Sequence, residues 1–114
     1  DEEQKRLTFA QAATGSSGIE TLLSLSLELY HNGSVKLETI IQTLTSNPAR
    51  ILKINKGNLT IGNDADFCIV DINKPWIVKK EELISKSKNT SIENKKLQGK
   101  VTNTFVKGVE LFKL

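Results

Sequence analysis

The sequence has very few of the side chains that bind transition metals. Among its 114 residues there is one histidine, His31, and one cysteine, Cys68. Zinc sites built by proteins use three or four His, Cys or carboxylate ligands, so we expect no metal site in this chain. We also expect no catalytic residue, because Asp64, Asp66 and Asp71 lack the partners that acid–base chemistry needs.

Disulfides, membrane spans and methionine are missing as well. A single cysteine forms no internal disulfide, which fits a reducing compartment, and its apolar neighbours predict that Cys68 is buried. No apolar stretch approaches the ~20 residues that cross a bilayer, so we expect no membrane association. Because the sequence contains no methionine, we expect a processed product or a fragment of a longer polypeptide.

The charge distribution argues against a nucleic-acid partner. The net charge is only +3, and lysines and glutamates are interspersed along most of the chain. The densest basic stretches, residues 79–82 and 86–88, contain no aromatic residue. Nucleic-acid-binding surfaces usually concentrate basic residues and combine them with aromatic ones.

The first half of the chain has the apolar spacing of helices. Apolar residues recur with helical period over residues 19–30 and again over residues 37–44, which predicts two helices. Asn47 and Pro48 suit the start of a third, short helix, because asparagine caps helices and proline fits the first helical position.

After Gly57 the pattern becomes that of strands. Residues 59–61 predict a short strand, and residues 66–72 predict a strand covered on both faces because its apolar residues are consecutive. Residues 76–78 continue as extended chain. A hairpin is predicted from residues 100–106 and 109–112, connected by the two residues Lys107 and Gly108.

The segment that precedes the first predicted helix is rich in small residues. Gly15 and Gly18 flank two serines, so the N–H groups of this loop are candidates to contact an anionic ligand at the helix start. The loop does not match a phosphate-binding P-loop. A flexible connector has the same composition, so ligand contact and a simple linker both remain open at this stage. Residues 85–90 are basic and are expected to form a solvated surface loop.

Four segments together resemble the class I dihydroorotases of the amidohydrolase superfamily. Residues 45–52 and 57–66 are similar to the Asn-Pro-Ala-Arg helix and the Gly-x-Leu-x-x-Gly-x-Asp-Ala-Asp segment, which are widespread in the superfamily. Residues 15–22 resemble the Gly-x-x-Gly-Leu-Glu-Thr segment, and residues 85–90 the Ser-Lys-x-Lys-Asn-Thr-Pro loop, of dihydroorotases in particular. Ser91 replaces the proline of that loop.

The resemblance implies an α/β fold, the C-terminal part of a (β/α)8 TIM barrel together with part of a small β-sandwich domain. Residues 1–18 would be the active-site loop after the last barrel strand, in which Lys5 matches a lysine of the family. Residues 19–56 would be the last barrel helices, and residues 57–114 the C-terminal part of the β-sandwich.

The resemblance also implies a function. Dihydroorotases reversibly cyclise N-carbamoyl-L-aspartate to L-dihydroorotate in cytoplasmic pyrimidine biosynthesis, using zinc. The family's metal ligands and catalytic aspartate would lie in the N-terminal part of the same protein, so this chain alone would be inactive. Backbone groups of Thr14 and Gly15 would contact the substrate ring, and Gly18 would shape the loop. A homodimer or a complex with aspartate transcarbamoylase is the further partner that the resemblance implies.

Two alternatives stay open. Some dihydroorotase-like chains have lost their metal ligands and only support the assembly of aspartate transcarbamoylase. Ala13 and Thr14 favour this alternative, because many relatives have prolines or an aromatic residue at these positions. A hydantoinase or allantoinase is the other alternative, against which the similarity of residues 85–90 to dihydroorotases argues.

Overall fold

The structure, a computed structural model, describes residues 2–114. Within these residues, four α-helices lie in the first half of the chain and three strands in the second. The elements are α1 (Glu2–Lys5), α2 (Leu22–His31), α3 (Leu37–Leu44), α4 (Ser46–Leu52), β1 (Phe67–Ile77), a 3-10 turn (Lys80–Glu82), β2 (Lys96–Val106) and β3 (Val109–Lys113).

The three predicted helices are confirmed as α2, α3 and α4, but two of their starts differ from the prediction. Helix α2 begins at Leu22 rather than at residue 19, because the backbone N–H and the hydroxyl of Thr21 both donate to the Gly18 carbonyl at 3.1 Å and form a turn there. Helix α4 begins at Ser46, and the side chain of Asn47 accepts a hydrogen bond from Arg50 at 3.3 Å instead of capping the helix.

The strands form one antiparallel sheet in the order β1-β2-β3. Two predicted extended segments are joined in the single strand β1, whose register with β2 shifts between Asp71 and Pro75. This irregularity accommodates Pro75, which has no N–H to donate to the sheet. The predicted hairpin of β2 and β3 is confirmed, and both of its turn residues, Lys107 and Gly108, have positive φ as tight hairpin turns require.

The strand predicted at residues 59–61 is wrong. The side chain of Asn58 accepts hydrogen bonds from the Thr60 N–H at 3.1 Å and from Asn63 Nδ2 at 2.7 Å. The Asn63 N–H in turn donates to the Thr60 carbonyl. These local bonds favour a turn, since a short polar side chain competes with the sheet for backbone partners.

The core forms where α2 packs against the sheet. Leu27, Val78 and Leu97 are buried there. A Cβ atom on Gly99 of β2 would overlap the side chain of Leu27, so only glycine permits this close approach of strand and helix. The buried hydroxyl of Ser24 donates to the Gly99 carbonyl at 2.6 Å and accepts from Trp76 Nε1 at 3.1 Å. The Ser24 hydroxyl therefore connects helix α2 to both β1 and β2.

Much of the apolar surface of this chain is uncovered. Among the described residues, six hydrophobic side chains are buried, whereas twenty large ones are exposed. The predicted burial of Cys68 is wrong, because it is exposed, and its neighbour Ile69 is half exposed. Phe67, Cys68 and Ile69 of β1 are all exposed, so the predicted covering of both faces is not found within the described chain. Exposed apolar surface of this extent is typical of an interface.

A lysine between two aspartates ties the segment after α4 to the hairpin. Lys56 Nζ lies 2.8 Å from Asp64 Oδ2 and 2.5 Å from Asp66 Oδ2. Asp66 also accepts the backbone N–H of Lys107, in the hairpin turn, at 2.7 Å. The backbone N–H that Asp66 accepts thus lies 41 residues away along the chain. The bond from Lys56, followed by the bond from Lys107, lowers the pKa of Asp66 below its ordinary value.

The Ser24 hydroxyl is expected to contribute measurably to stability. Ser24→Ala leaves the Gly99 carbonyl and the Trp76 N–H without their partner in a buried place, and should lower the free energy of unfolding by about 1–3 kcal/mol. Urea unfolding of the complete protein measures this. Ser26→Ala is the control on the same helix, because Ser26 is bonded only to the helix carbonyl of Leu22 and should change stability little.

The lowered pKa of Asp66 predicts an acid-dependent loss of stability. A carboxylate with a lowered pKa in the folded state stabilises the fold above the unfolded value of 3.8, and this contribution disappears as the pH falls through the lowered pKa. Asp66→Asn should therefore reduce stability at neutral pH and flatten its dependence on pH below 3.8. Urea unfolding between neutral and acid pH tests this, and parallel curves for both proteins would contradict it.

Candidate functional site

The loop that precedes α2 carries the residues to which the sequence assigns substrate contacts. Thr14, Gly15 and Gly18 are all exposed. Gly15 has φ of +92° and open space around the position of a Cβ, so glycine is required there by backbone conformation rather than by crowding. The φ of Gly18 lies outside this left-handed region. Gly18 contributes to the loop through its carbonyl, which accepts both hydrogen bonds from Thr21.

The Gly15 carbonyl is held by two side chains from different parts of the chain. Lys5 Nζ, at the end of α1, donates to it at 2.6 Å. Asn89 Nδ2 donates to the same oxygen at 2.8 Å across a separation of 74 residues. A carbonyl with two donors fixes the orientation of the peptide group between Gly15 and Ser16.

The segment formed by residues 84–91, named here the clamp segment, lies along this loop. The Ser17 N–H donates to the Asn89 carbonyl at 2.7 Å. The Ser17 hydroxyl donates to the Ser87 carbonyl at 3.0 Å, and the Ser91 N–H donates to the Ser16 hydroxyl at 3.1 Å. The clamp segment therefore forms hydrogen bonds with Gly15, Ser16 and Ser17 of the loop.

Glu20 holds the other end of the clamp segment. One carboxylate oxygen accepts the N–H of Ile84 at 3.0 Å and the other accepts the N–H of Ser85 at 2.9 Å. Lys88 folds back and donates to the carbonyl of Leu83, the residue directly before the clamp segment. Residues 85–90 are thus more than a solvated surface loop: the two motifs that resemble dihydroorotases in particular contact each other.

Thr14 and Gly15 are exposed, whereas one N–H group at the start of α2 is already bonded. Thr21, the residue before α2, is buried and its N–H is bonded to Gly18. The sequence left open whether this loop contacts an anionic ligand at the start of α2 or is a simple linker. The Thr21 N–H is not free to donate to such a ligand, because it is already bonded to Gly18. Thr14 and Gly15 remain open to a ligand.

The described part of the chain offers no ligand set for a metal. Within residues 2–114, no group of three His, Cys, Asp or Glu side chains is placed to hold an ion. His31 lies at the end of α2 with its Nε2 3.0 Å from the Ile72 carbonyl, which links the helix to β1. Across the same residues, no helix has the length and apolar content that a membrane crossing requires.

Comparison with known proteins shows the family. Residues 7–111 match the model of the amidohydrolase family. This chain belongs to that family. The amidohydrolase chain is 44% identical over 104 residues to the dihydroorotase of Ehrlichia canis, covering 91% of this chain and 23% of that protein. It is 42% identical over 111 residues to the dihydroorotase of Aquifex aeolicus, covering 97% of this chain and 26% of that protein.

Solved structures agree on the fold. The amidohydrolase chain superimposes on L-hydantoinase from Arthrobacter aurescens with a TM-score of 0.85 and 27% identity, over 91% of this chain and 24% of that one. It matches dihydropyrimidinase from Brevibacillus agri with a TM-score of 0.87 and 20% identity, over 96% of this chain and 25% of that one. The chain thus spans about a quarter of the length of the relatives it matches.

Proposed function

We propose that this chain is the C-terminal portion of a zinc-dependent dihydroorotase, which interconverts N-carbamoyl-L-aspartate and L-dihydroorotate in pyrimidine biosynthesis. The observation that carries the proposal is the 44% identity to a protein named dihydroorotase over 91% of the chain. The contact between Glu20 and the clamp segment also supports the proposal. This contact joins the two segments that resemble dihydroorotases in particular rather than the amidohydrolase superfamily as a whole.

The role proposed for the chain is to present residues 14–18, named here the substrate loop. Backbone groups of Thr14 and Gly15 contact the dihydroorotate ring, whose cyclic amide groups can donate to and accept from a peptide backbone. Both residues are exposed, and the fixed Gly15 carbonyl keeps the neighbouring backbone in one orientation. These features suit a contact that positions a ring rather than one that reacts with it.

Zinc does not fit the residues of this chain. No metal-binding group is found within residues 2–114, and the one histidine of the sequence contacts a backbone carbonyl. On the proposed function, the N-terminal part of the protein binds the metal, which activates water and polarises the substrate. The chain's own contribution is confined to binding and orientation.

The uncovered apolar surface supports an N-terminal part as the partner of this chain. Residues 19–56 are proposed as the last helices of a TIM barrel and residues 57–114 as the C-terminal part of a β-sandwich, with residues 1–18 as the active-site loop after the last barrel strand. In that arrangement the exposed side chains of Ile51 and Leu52 on α4 pack against the rest of the barrel. A homodimer or a complex with aspartate transcarbamoylase stays a prediction.

A second candidate is a hydantoinase-type cyclic amidohydrolase, since L-hydantoinase shares the fold at 27% identity. Hydantoin and dihydroorotate are both cyclic amides, so the same loop could serve either ring. The higher identity to dihydroorotases, 42% over 97% of the chain for that of Aquifex aeolicus, favours the first proposal.

Turnover and zinc content of the complete protein test the proposed function. We expect dihydroorotate hydrolysis by a protein that contains zinc, no comparable hydrolysis of hydantoin, and no turnover by residues 1–114 alone. Hydantoin hydrolysis without dihydroorotate hydrolysis would replace the first candidate by the second. Absence of both turnover and zinc would indicate the non-catalytic subunit that supports aspartate transcarbamoylase.

The substrate contact at Gly15 predicts an effect on KM. Gly15→Ala strains a backbone with φ of +92° and displaces the contacting groups, so KM should rise roughly tenfold, as expected for one lost hydrogen bond. Gly33→Ala is a matched control, because Gly33 has φ of +77° and equally open surroundings but lies after α2. Equal KM values for the two variants would refute the contact.

A further inference from the structure

Asn89 holds both sides of Ser16 in the substrate loop. Its side-chain Nδ2 donates to the Gly15 carbonyl at 2.8 Å, and its backbone carbonyl accepts the Ser17 N–H at 2.7 Å. The Ser16 hydroxyl also lies 3.5 Å from that carbonyl. One residue therefore fixes the peptide groups on both sides of Ser16, directly after the residues proposed to contact substrate.

The position of Asn89 does not depend on the substrate loop alone. Glu20 holds the start of the clamp segment through the N–H groups of Ile84 and Ser85. Val78, which is fully buried, exchanges backbone hydrogen bonds with Asn94 and Lys95 at 2.7 and 3.0 Å, and so closes the loop of chain that contains the clamp segment. Asn89 is therefore presented from a framework fixed to α2 and to the sheet.

The substrate loop needs such a restraint. Its backbone includes two glycines and two serines, and Thr14, Gly15, Ser16 and Gly18 are exposed. Glycine has more conformational freedom than any other residue, so an unrestrained loop would have to become ordered each time it bound a ligand. Hydrogen bonds made before binding remove that cost from the binding step.

We propose that Asn89 is a positioning residue for substrate binding: through the Gly15 carbonyl it holds the substrate loop in the conformation in which Thr14 and Gly15 meet the ring. This inference rests on the proposed function, because it assigns Asn89 a role in the same site. Asn89 itself touches neither the substrate nor the reacting atoms.

Alanine variants of two asparagines test the inference in the complete protein. Asn89→Ala removes the donor to Gly15 and leaves its backbone in place. Asn103→Ala is the matched control, because it removes an amide hydrogen bond of similar kind, from Asn103 Nδ2 to Glu110 Oε1, in the distant hairpin. The measurements are kcat and KM for dihydroorotate, the thermal unfolding temperature, and amide hydrogen exchange of residues 14–18.

Asn89→Ala is expected to raise KM by roughly three- to tenfold, no more than Gly15→Ala, because Lys5 still donates to the Gly15 carbonyl, and kcat should change less. Exchange in residues 14–18 should become faster, while the unfolding temperature should shift no more than in Asn103→Ala. A KM within about twofold of the parent protein, or an equal rise in the control, would overturn the inference.

Failure of the proposed function would be seen separately, since it appears in the parent protein as absence of dihydroorotate turnover. Hydrogen exchange then still decides whether Asn89 orders the loop. Faster exchange of residues 14–18 in Asn89→Ala alone would sustain the ordering role. Unchanged exchange would overturn it whatever the substrate is.

Discussion

The close packing of α2 on β2 is the constraint on which the rest of the structure depends. Gly99 permits this packing because a side chain there would overlap Leu27, and the Ser24 hydroxyl joins the two elements to Trp76 of β1. The substrate loop lies directly before α2, and the clamp segment lies between β1 and β2. Fixing helix against sheet therefore also sets the distance across which Glu20 and Asn89 reach their partners.

Local chemistry explains which elements could be predicted from the sequence. The hairpin can be predicted because a two-residue connection that contains glycine, here Lys107 and Gly108, is the usual geometry of a tight hairpin turn. The helices were located by their periodicity, but the start of α2 was missed because the Thr21 hydroxyl favours a turn onto Gly18. The prediction of a strand at residues 59–61 is wrong for a similar reason, because the Asn58 side chain accepts the Thr60 N–H that a strand would need for its ladder.

The candidate site was predictable only in part, because its contacts join distant parts of the chain. Gly15 stood out through local composition, whereas Asn89 contacts it across 74 residues and Glu20 contacts Ser85 across 65. Such pairs leave no periodic or compositional signal in a single sequence. The resemblance singles out both segments, but it gives no indication that they contact each other.

The predicted burial of Cys68 is wrong for another physical reason. An apolar run indicates that a strand is covered, but it does not indicate which part of a protein covers it.

The fold of this chain is shared with other enzymes, whereas the contacts around Gly15 are local. This difference bears on how the proposed substrate is selected. The hydantoinase and dihydropyrimidinase structures share this fold with TM-scores of 0.85 and 0.87 although identity is only 27% and 20%. A fold shared at such low identity does not by itself define a substrate, so on the proposed function selectivity must come from the residues that line and shape the site. On the proposed function, a loop whose conformation is fixed before binding loses less free energy to ordering when the ring binds, and it can contribute to that selectivity. Paired donors on the Gly15 carbonyl, one charged and one neutral, supply that fixation from two independent elements.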